Sequence, residues 1–499
     1  MGHGSKGLVV DIQCSFSNSL PGIVIVGSAS KAVDEAKERL RAAFANSPGD
    51  LPRKRITLNL APADIPKTDS GLDLGMATAI LLANSQIRLV SPVASAFIGE
   101  LGLDGSIRAT RGIIGKLLAG RETGIREFYI AEDNLAQAVL VPHIKLIPLK
   151  SLGELIQTLD GSVAHPSIIE TGSGNYPLVP DSLTVDPFAD IVGQATAKRA
   201  LEIAAAGGHN VLFSGPPGTG KTMLAKALPA LLPPLSQEEM LEVSQLHSLG
   251  GEMIEAPVTK RPFRAPHHSA SHVSITGGGH TLRPGEISLS HRGVLFMDEL
   301  PEFNRLTLEA LRQPLEDKLI TVARAKDTVT YPANFTLIAT ANPCPCGFYG
   351  TSKPCVCQPY QIQRYQQRIS GPIADRIDLF ANVHEVDHAR LLNTSNTPHA
   401  GKAMRQRILA ARAAQHARFS SETKLNASMS NADIKRLALL ESEARSILDV
   451  AAQKLDLSAR SYMRVVKLAR TIADLANSKT TKAEHITEAL QFRPQTTIL

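Results

Sequence analysis

Apolar and polar positions alternate in two short runs near the start of the chain, Leu8-Val9-Val10-Asp11-Ile12 and Ile23-Val24-Ile25-Val26-Gly27. A period of two predicts strands. Lys31 to Phe44 and Leu72 to Asn84 carry helical spacing instead, so the region to about Ile156 is expected to form an α+β or α/β domain. Ser, Gly and Pro crowd Gly161 to Pro187 without sustained periodicity, which predicts a linker. Strands and helices then alternate to about His384, and from Asp387 onward the pattern is helical throughout, predicting a lid or bundle. The boundaries that follow are 1–160, 161–187, 188–386 and 387–499. There are no tandem repeats or long low-complexity tracts.

The second domain opens on chemistry. Asn210-Val211-Leu212-Phe213-Ser214 is an apolar strand, Thr222 to Leu228 a helix, and between them stand Gly215, Pro216, Pro217, Gly218, Thr219, Gly220, Lys221 and Thr222. This is the spacing GxxxxGK[ST], in which glycines free backbone amides to cradle phosphates at a helix N-terminus. Lys221 is expected to neutralise the β and γ phosphates of ATP, and the Thr222 hydroxyl to hold Mg2+. Gly293-Val294-Leu295-Phe296-Met297 is a second apolar strand, ending in Asp298 and Glu299. Asp298 would support the Mg2+ waters and Glu299 would polarise an attacking water. A third strand, Phe335 to Thr340, leads to Asn342, an amide placed to bond the water or γ phosphate.

Composition narrows the class. At 499 residues, 43% hydrophobic and 20% charged, the chain is an ordinary globular protein of two to four domains. A net charge of +6 favours a polyanionic partner only through its distribution. No long uncharged apolar run and no secretory-type start appear, so a cytoplasmic protein with no membrane partner is expected. Four of the five cysteines, Cys344, Cys346, Cys355 and Cys357, fall in one short stretch, which in a reducing compartment suggests metal before disulfides. Four thiolates can close a tetrahedral structural Zn2+ site; free thiols or a redox pair are the alternatives.

The three strand-end motifs together resemble AAA+ ATPases, and Asp190-Ile191-Val192-Gly193-Gln194 is similar to that superfamily's adenine-contacting box, which points to Ile191 and Val192. Ser370 to Asp378 resembles the segment that carries the arginine finger in magnesium-chelatase and replicative-helicase ATPases. That resemblance implies that Arg376 reaches a neighbour's γ phosphate. Leu457 to Arg464 resembles the sensor 2 helix of the same clade, with Arg460 as the sensor and Arg464 as the alternative.

Two insertions carry basic residues. One, between the phosphate-loop helix and the strand ending at Asp298, holds Arg261, Arg264, His267, His268, three glycines and Arg283, and reads as a mobile loop. The other, Leu319 to Thr330, alternates like a hairpin with Arg324 and Lys326 near its tip. Their positions resemble the pore-facing insertions of that clade, where cations would track a DNA backbone without reading bases; solvated or locally paired cations are the other reading. Hydrogen bonding within core or loop is the expected role of His267 and His268.

Leu58 to Lys67 and Ile98 to Gly105 resemble the Lon-protease (ribosomal S5 domain 2-like) domain. The resemblance places Gly71 at the nucleophilic serine and Ile114 at the lysine, so the dyad is expected to be absent; Ser70 and Lys116 stand nearby as a conceivable shifted pair. A dyad-less Lon-like α+β domain, a chelatase-type α/β ATPase core, a four-cysteine loop and a helical lid together resemble the YifB/ComM family of magnesium-chelatase-like competence proteins. That family's leading strand is expected to be missing or replaced, because the chain starts close to its first clear strand. The resemblance implies a homo-hexameric, ATP-driven helicase that promotes branch migration on single-stranded or branched DNA. A motor subunit for metal insertion and a protein-remodelling factor are the alternatives.

Overall fold

The computed structural model describes residues 2–3, 6–65, 67, 69–87, 94–160, 168–172, 186–189, 191–251, 257–279, 282–323, 328–351, 353–369, 371–386 and 400–493. Contacts divide the chain into two compact units, Met1–Leu178 with Ser236–Thr259, and Val179–Leu235 with Lys260–Leu499.

The first unit is α+β. The strand Arg55–Ala61 lies between Asp11–Ser17, antiparallel to it, and Gly22–Val26, parallel to it. A second sheet runs in the order Ile169–Glu170, Lys145–Leu149, Glu127–Ala131, Ser95–Ile98. The helices Ala36–Ala45 and Asp73–Ala83 bury Leu40, Phe44, Met76, Ile80 and Leu81 in one core with Ile56, Leu58 and Leu60 of the central strand. Leu8 to Val10 lie outside the first long strand, which starts at Asp11; ahead of it Gly2–His3 pairs antiparallel with Lys6–Gly7. Part of the expected linker is also structured. Ile169–Glu170 adds an edge strand antiparallel to Lys145–Leu149, and Thr171 closes its end, accepting from His143 N at 2.7 Å and donating its N–H to Ile144 O at 2.9 Å.

The segment Ser236–Thr259 lies in this unit although it follows the phosphate-loop helix in sequence. Its helix, Gln237–Gly250, starts on a capping box between Ser236 and Glu239. Leu241 packs beside Ile113 and Ile114 of the helix Ile113–Glu122, and the Ser248 hydroxyl accepts from Gly112 N at 2.7 Å.

The second unit is built on a five-stranded parallel sheet. Its strands are β1 (Val211–Ser214), β2 (Phe263–Arg264), β3 (Val294–Met297), β4 (Thr336–Ala341) and β5 (Leu379–Asn382), in the order β2-β3-β4-β1-β5. β1, β3 and β4 are buried at every position, so they read as unbroken apolar runs rather than alternating ones. The alanine-rich helix Ala195–Gly207 packs against β5 and against two helices from the C-terminal part, Ala400–Phe419 and Ala459–Leu475. Small side chains permit that close approach: Ala197, Ala200, Ala204 and Ala205 are all fully buried. The described residues after Asp387 are helical, as their periodicity predicts. This mixed α/β architecture, with an α+β N-terminal unit and a helical C-terminal part, is the fold class expected from sequence.

Candidate nucleotide site

β1, β3 and β4 end side by side, and their parallel register delivers three polar groups to one edge of the sheet. After β1, Gly218 and Gly220 take φ of +81° and +87°, left-handed values that an L side chain resists, and the helix Lys221–Leu231 begins immediately. Lys221 Nζ donates to Gly215 O at 2.6 Å, Pro216 O at 2.8 Å and Asn342 Oδ1 at 3.1 Å. Burial holds the lysine below its ordinary pKa, while Asp298 and Glu299 pull the other way. Thr222 Oγ1 lies 3.3 Å from Asp298 Oδ2, and Thr340 Oγ1 donates to Asp298 Oδ1 at 2.6 Å. Thr340 also accepts from Glu299 N at 2.9 Å and so orients both carboxylate residues. Thr340 is a buried strand residue that motif reading passed over, since its role needs β3 and β4 to be neighbours.

Glu299 stands at φ +53°, a conformation uncommon for a residue with a side chain. Its carboxylate faces His268, with Nδ1 3.8 Å from Oε2. His268 also packs against the His267 ring, centroids 4.1 Å apart, and meets Phe303 edge-on. His267 Nδ1 meets Ser269 Oγ at 2.7 Å within the loop, whereas His268 lies beside Glu299 at a distance too long for a hydrogen bond. That proximity arises because β2 lies next to β3 and both end on the same side. Ile191 is buried against the core of the second unit, and Val192 is half-buried beside it.

A cavity of about 480 Å³ opens at the carboxyl ends of β1, β4 and β5, among them Ser214, Asn342 and Asn382, with Tyr349 and Tyr365 on its walls. Carboxyl ends of parallel strands where the chain order reverses are where open α/β sheets take ligands. The donor set fits a nucleoside triphosphate with Mg2+: an ammonium, a hydroxyl and carboxylate 3.3 Å apart, and loop glycines in left-handed conformation.

Residues 187–391 match the family described as Magnesium chelatase, subunit ChlI; residues 12–134 match Subunit ChlI of Mg-chelatase, and 399–493 the ChlI C-terminal family. The chain is 41% identical to Competence protein ComM of Haemophilus influenzae over 99% of its own length and 96% of that relative's. It is 40% identical to YifB of Escherichia coli over 97% and 94%. The chain belongs to the ComM/YifB family. A more distant likeness, 30% identity over 40% of the chain, reaches the Magnesium-chelatase 67 kDa subunit of Heliobacterium mobile.

The other residues expected of a ComM/YifB protein fall as follows. Arg376, 12% exposed at its side chain, pairs with Glu316 at 2.8 Å, and Arg460 contacts the same Glu316 oxygen. Arg464 points instead toward Asp378, 3.8 Å away, and is buried. Arg261 and Arg264 both have partners within the chain. Arg261 donates to Pro233 O at 2.6 Å, Arg292 O at 2.7 Å and Pro234 O at 3.3 Å; Arg264 grips Glu286 bidentately at 2.6 and 2.8 Å. Arg283 is exposed on a small hairpin with Gly277–Gly278. The second insertion is a hairpin, Leu319–Ala323 against Thr328–Pro332, and Arg324 and Lys326 lie outside the described residues. No described helix is long and apolar enough to cross a membrane.

In the first unit the ammonium of Lys116, not residue 114, comes to Gly71. A Cβ built on Gly71 would stand 3.0 Å from Lys116 Nζ, whereas Ile114 is fully buried in the core. Lys116 pairs with Asp69 at 2.9 Å and the Ser70 hydroxyl donates to Glu100, so the shifted Ser70–Lys116 pairing does not form. With glycine at 71 there is no hydroxyl for the lysine to activate.

The four cysteine sulfurs lie within 4.8 Å of one another. Cys344 is 3.3 Å from Cys346 and 3.7 Å from Cys355, and Cys346 is 3.5 Å from Cys355. Tetrahedral ligands at about 2.3 Å from a metal stand roughly 3.8 Å apart, so the knot already has the size of a four-thiolate zinc site. The backbone N–H of Phe348 draws the Cys346 thiol down to about 6, while burial and the neighbouring Cys346 and Cys344 push Cys355 up to about 12 and Cys357 up as well, so one thiolate forms readily and the others would need the metal's charge.

Proposed function

We propose that this ComM/YifB-family AAA+ protein is a ring-forming ATPase that moves along DNA and promotes branch migration. The observation that carries the reading is the convergence of Lys221, Thr222, Asp298 and Asn342 within hydrogen-bond reach at the sheet edge. Lys221 would bind the phosphates, Thr222 and Asp298 the Mg2+, Glu299 would polarise the attacking water, and Asn342 would sense the γ phosphate. Ile191 and Val192, next to the loop leading into the helix Ala195–Gly207, would meet the adenine. Arg376 and Arg460, side by side on Glu316, would act across the boundary between protomers of a homo-hexamer. The name of the Haemophilus influenzae relative, a competence protein, supports DNA as the polymer; single-stranded or branched DNA is its proposed form. Arg283 on its exposed hairpin, together with Arg324 and Lys326, would follow the phosphate backbone. The four thiols would hold one structural Zn2+; they leave no open position for catalysis.

Turnover of ATP measured with single strands, forks and four-way junctions tests the reading. A rise of several-fold with DNA is expected. Equal rates with and without every DNA would instead favour the metal-insertion or protein-remodelling motor.

A further inference from the structure

The four-cysteine loop follows β4 directly, with Asn342 only two residues before Cys344, so the group that receives the Lys221 ammonium is covalently anchored to the thiol knot. A second attachment is spatial. Gly347, inside the knot, takes φ +86° and donates its N–H to Cys344 O at 3.0 Å. A Cβ built there would fall 2.7 Å from Cδ and 3.2 Å from Cγ of Pro217, in the middle of the phosphate loop. The knot's turn therefore lies flush on the phosphate loop, at a distance that admits only glycine. On the next stretch Tyr349, Gly350 and Thr351 form a wall of the cavity whose other wall is Gly215, Pro216 and Asn342.

Among the described residues the loop's own bonds are local: Thr351 N and Oγ1 donate to Phe348 O at 3.2 and 2.9 Å, and Lys353 lies over the Phe348 ring. Val356 is 83% exposed and Tyr349 43%, and Cys344 is its one fully buried hydrophobic residue among those described. Gln366 Nε2 donates to Pro343 O at 3.2 Å, a tether at the loop's root rather than its tip. A segment this short without a core of its own keeps a single conformation only if something pins it, and a metal joining four thiolates does so.

From these contacts we infer that metal bound at the four-cysteine knot clamps the phosphate loop, so that nucleotide affinity depends on metal occupancy. The inference rests on the zinc and ATPase readings above and adds a coupling between them. Gly347 and the knot act through Pro217 and Asn342, by positioning them. Loss of metal frees the turn, Pro217 loses its support, and the loop must order itself at the moment of binding.

The test measures zinc by elemental analysis and the dissociation constant of a fluorescent ADP analogue on the full-length protein. Both are taken as isolated, after chelation under reducing conditions followed by removal of the chelator and restoration of Mg2+, and after zinc is returned. Circular dichroism confirms that the stripped protein is folded. About one zinc per chain is expected, with affinity falling at least tenfold on stripping and returning with zinc. Gly347→Ala keeps all four thiols; it should retain zinc yet bind the analogue at least fivefold more weakly. Folded, stripped protein with unchanged affinity would overturn the coupling while leaving the zinc and ATPase readings intact. Protein isolated without zinc and taking up none on addition would remove the metal reading, and with it this inference. A Gly347→Ala variant with full zinc and unaltered affinity would show that the turn does not support the phosphate loop.

Discussion

Arg376 and Arg460, 84 positions apart in sequence, meet on a single carboxylate oxygen of Glu316. One stands at the end of the short helix Gly371–Ala374 and the other in the first turn of the helix Ala459–Leu475. Two guanidinium groups held together by one carboxylate form a compact cationic pair suited to a polyphosphate. Burial lowers the pKa of Arg376 from its ordinary value; a guanidinium is not deprotonated in proteins, so both members of the pair carry charge.

If that pair serves a neighbour's nucleotide, Arg376→Ala should bind ATP normally but turn it over at least about 1,000-fold more slowly, the lower end of the range of about 10³–10⁵ for arginine fingers. Mixed with Lys221→Ala subunits it should recover part of the activity, because each variant leaves intact the half-site that the other lacks. Steady-state turnover across mixing ratios checks this; no recovery at any ratio would place Arg376 outside the shared site.

Glu299→Gln keeps the side chain's size and removes its charge, so nucleotide affinity should hold while turnover falls by about 10²-fold or more, as for loss of a general base. His268→Ala should act far more gently. A 3.8 Å contact between half-exposed groups contributes at most about 1 kcal/mol even as a full ion pair, a change in rate of at most about fivefold. Single-turnover hydrolysis of pre-bound ATP measures both; a Glu299→Gln enzyme with normal rate would refute its assignment.

Arg283 and Arg264 should separate in a salt titration of DNA binding. Arg283→Ala removes an exposed cation and should lower the slope of log affinity against log salt by about 1. Arg264→Ala breaks the bidentate pair with Glu286 and should leave that slope alone while costing roughly 1–3 kcal/mol of stability, read from denaturant unfolding. The reverse pattern would restore Arg264 as a DNA contact.

Motif chemistry was legible along the chain because it depends on local spacing. A strand, a glycine turn and a helix bring Gly215 to Thr222 together whatever surrounds them, and Asp298, Glu299 and Asn342 each stand at the end of an apolar run. The helical C-terminal part and the hairpin at Leu319 to Thr330 were likewise readable from periodicity. The partners of basic side chains were not. Arg261 looks like any loop arginine until the fold brings Pro233, Pro234 and Arg292 carbonyls around it. An alignment that counts positions favours Ile114 over Lys116, whereas a long flexible side chain reaches Gly71 from two helical positions further on. The helix Gln237–Gly250 joins the first unit through Leu241 and Ser248, contacts more than a hundred positions away in sequence. Pro217 and Gly347, too, become neighbours only when β1 and β4 pair. Local propensity and motif spacing are written in consecutive residues, but which distant side chains share a hydrogen bond or a contact is settled by packing, and packing is a property of the whole folded chain.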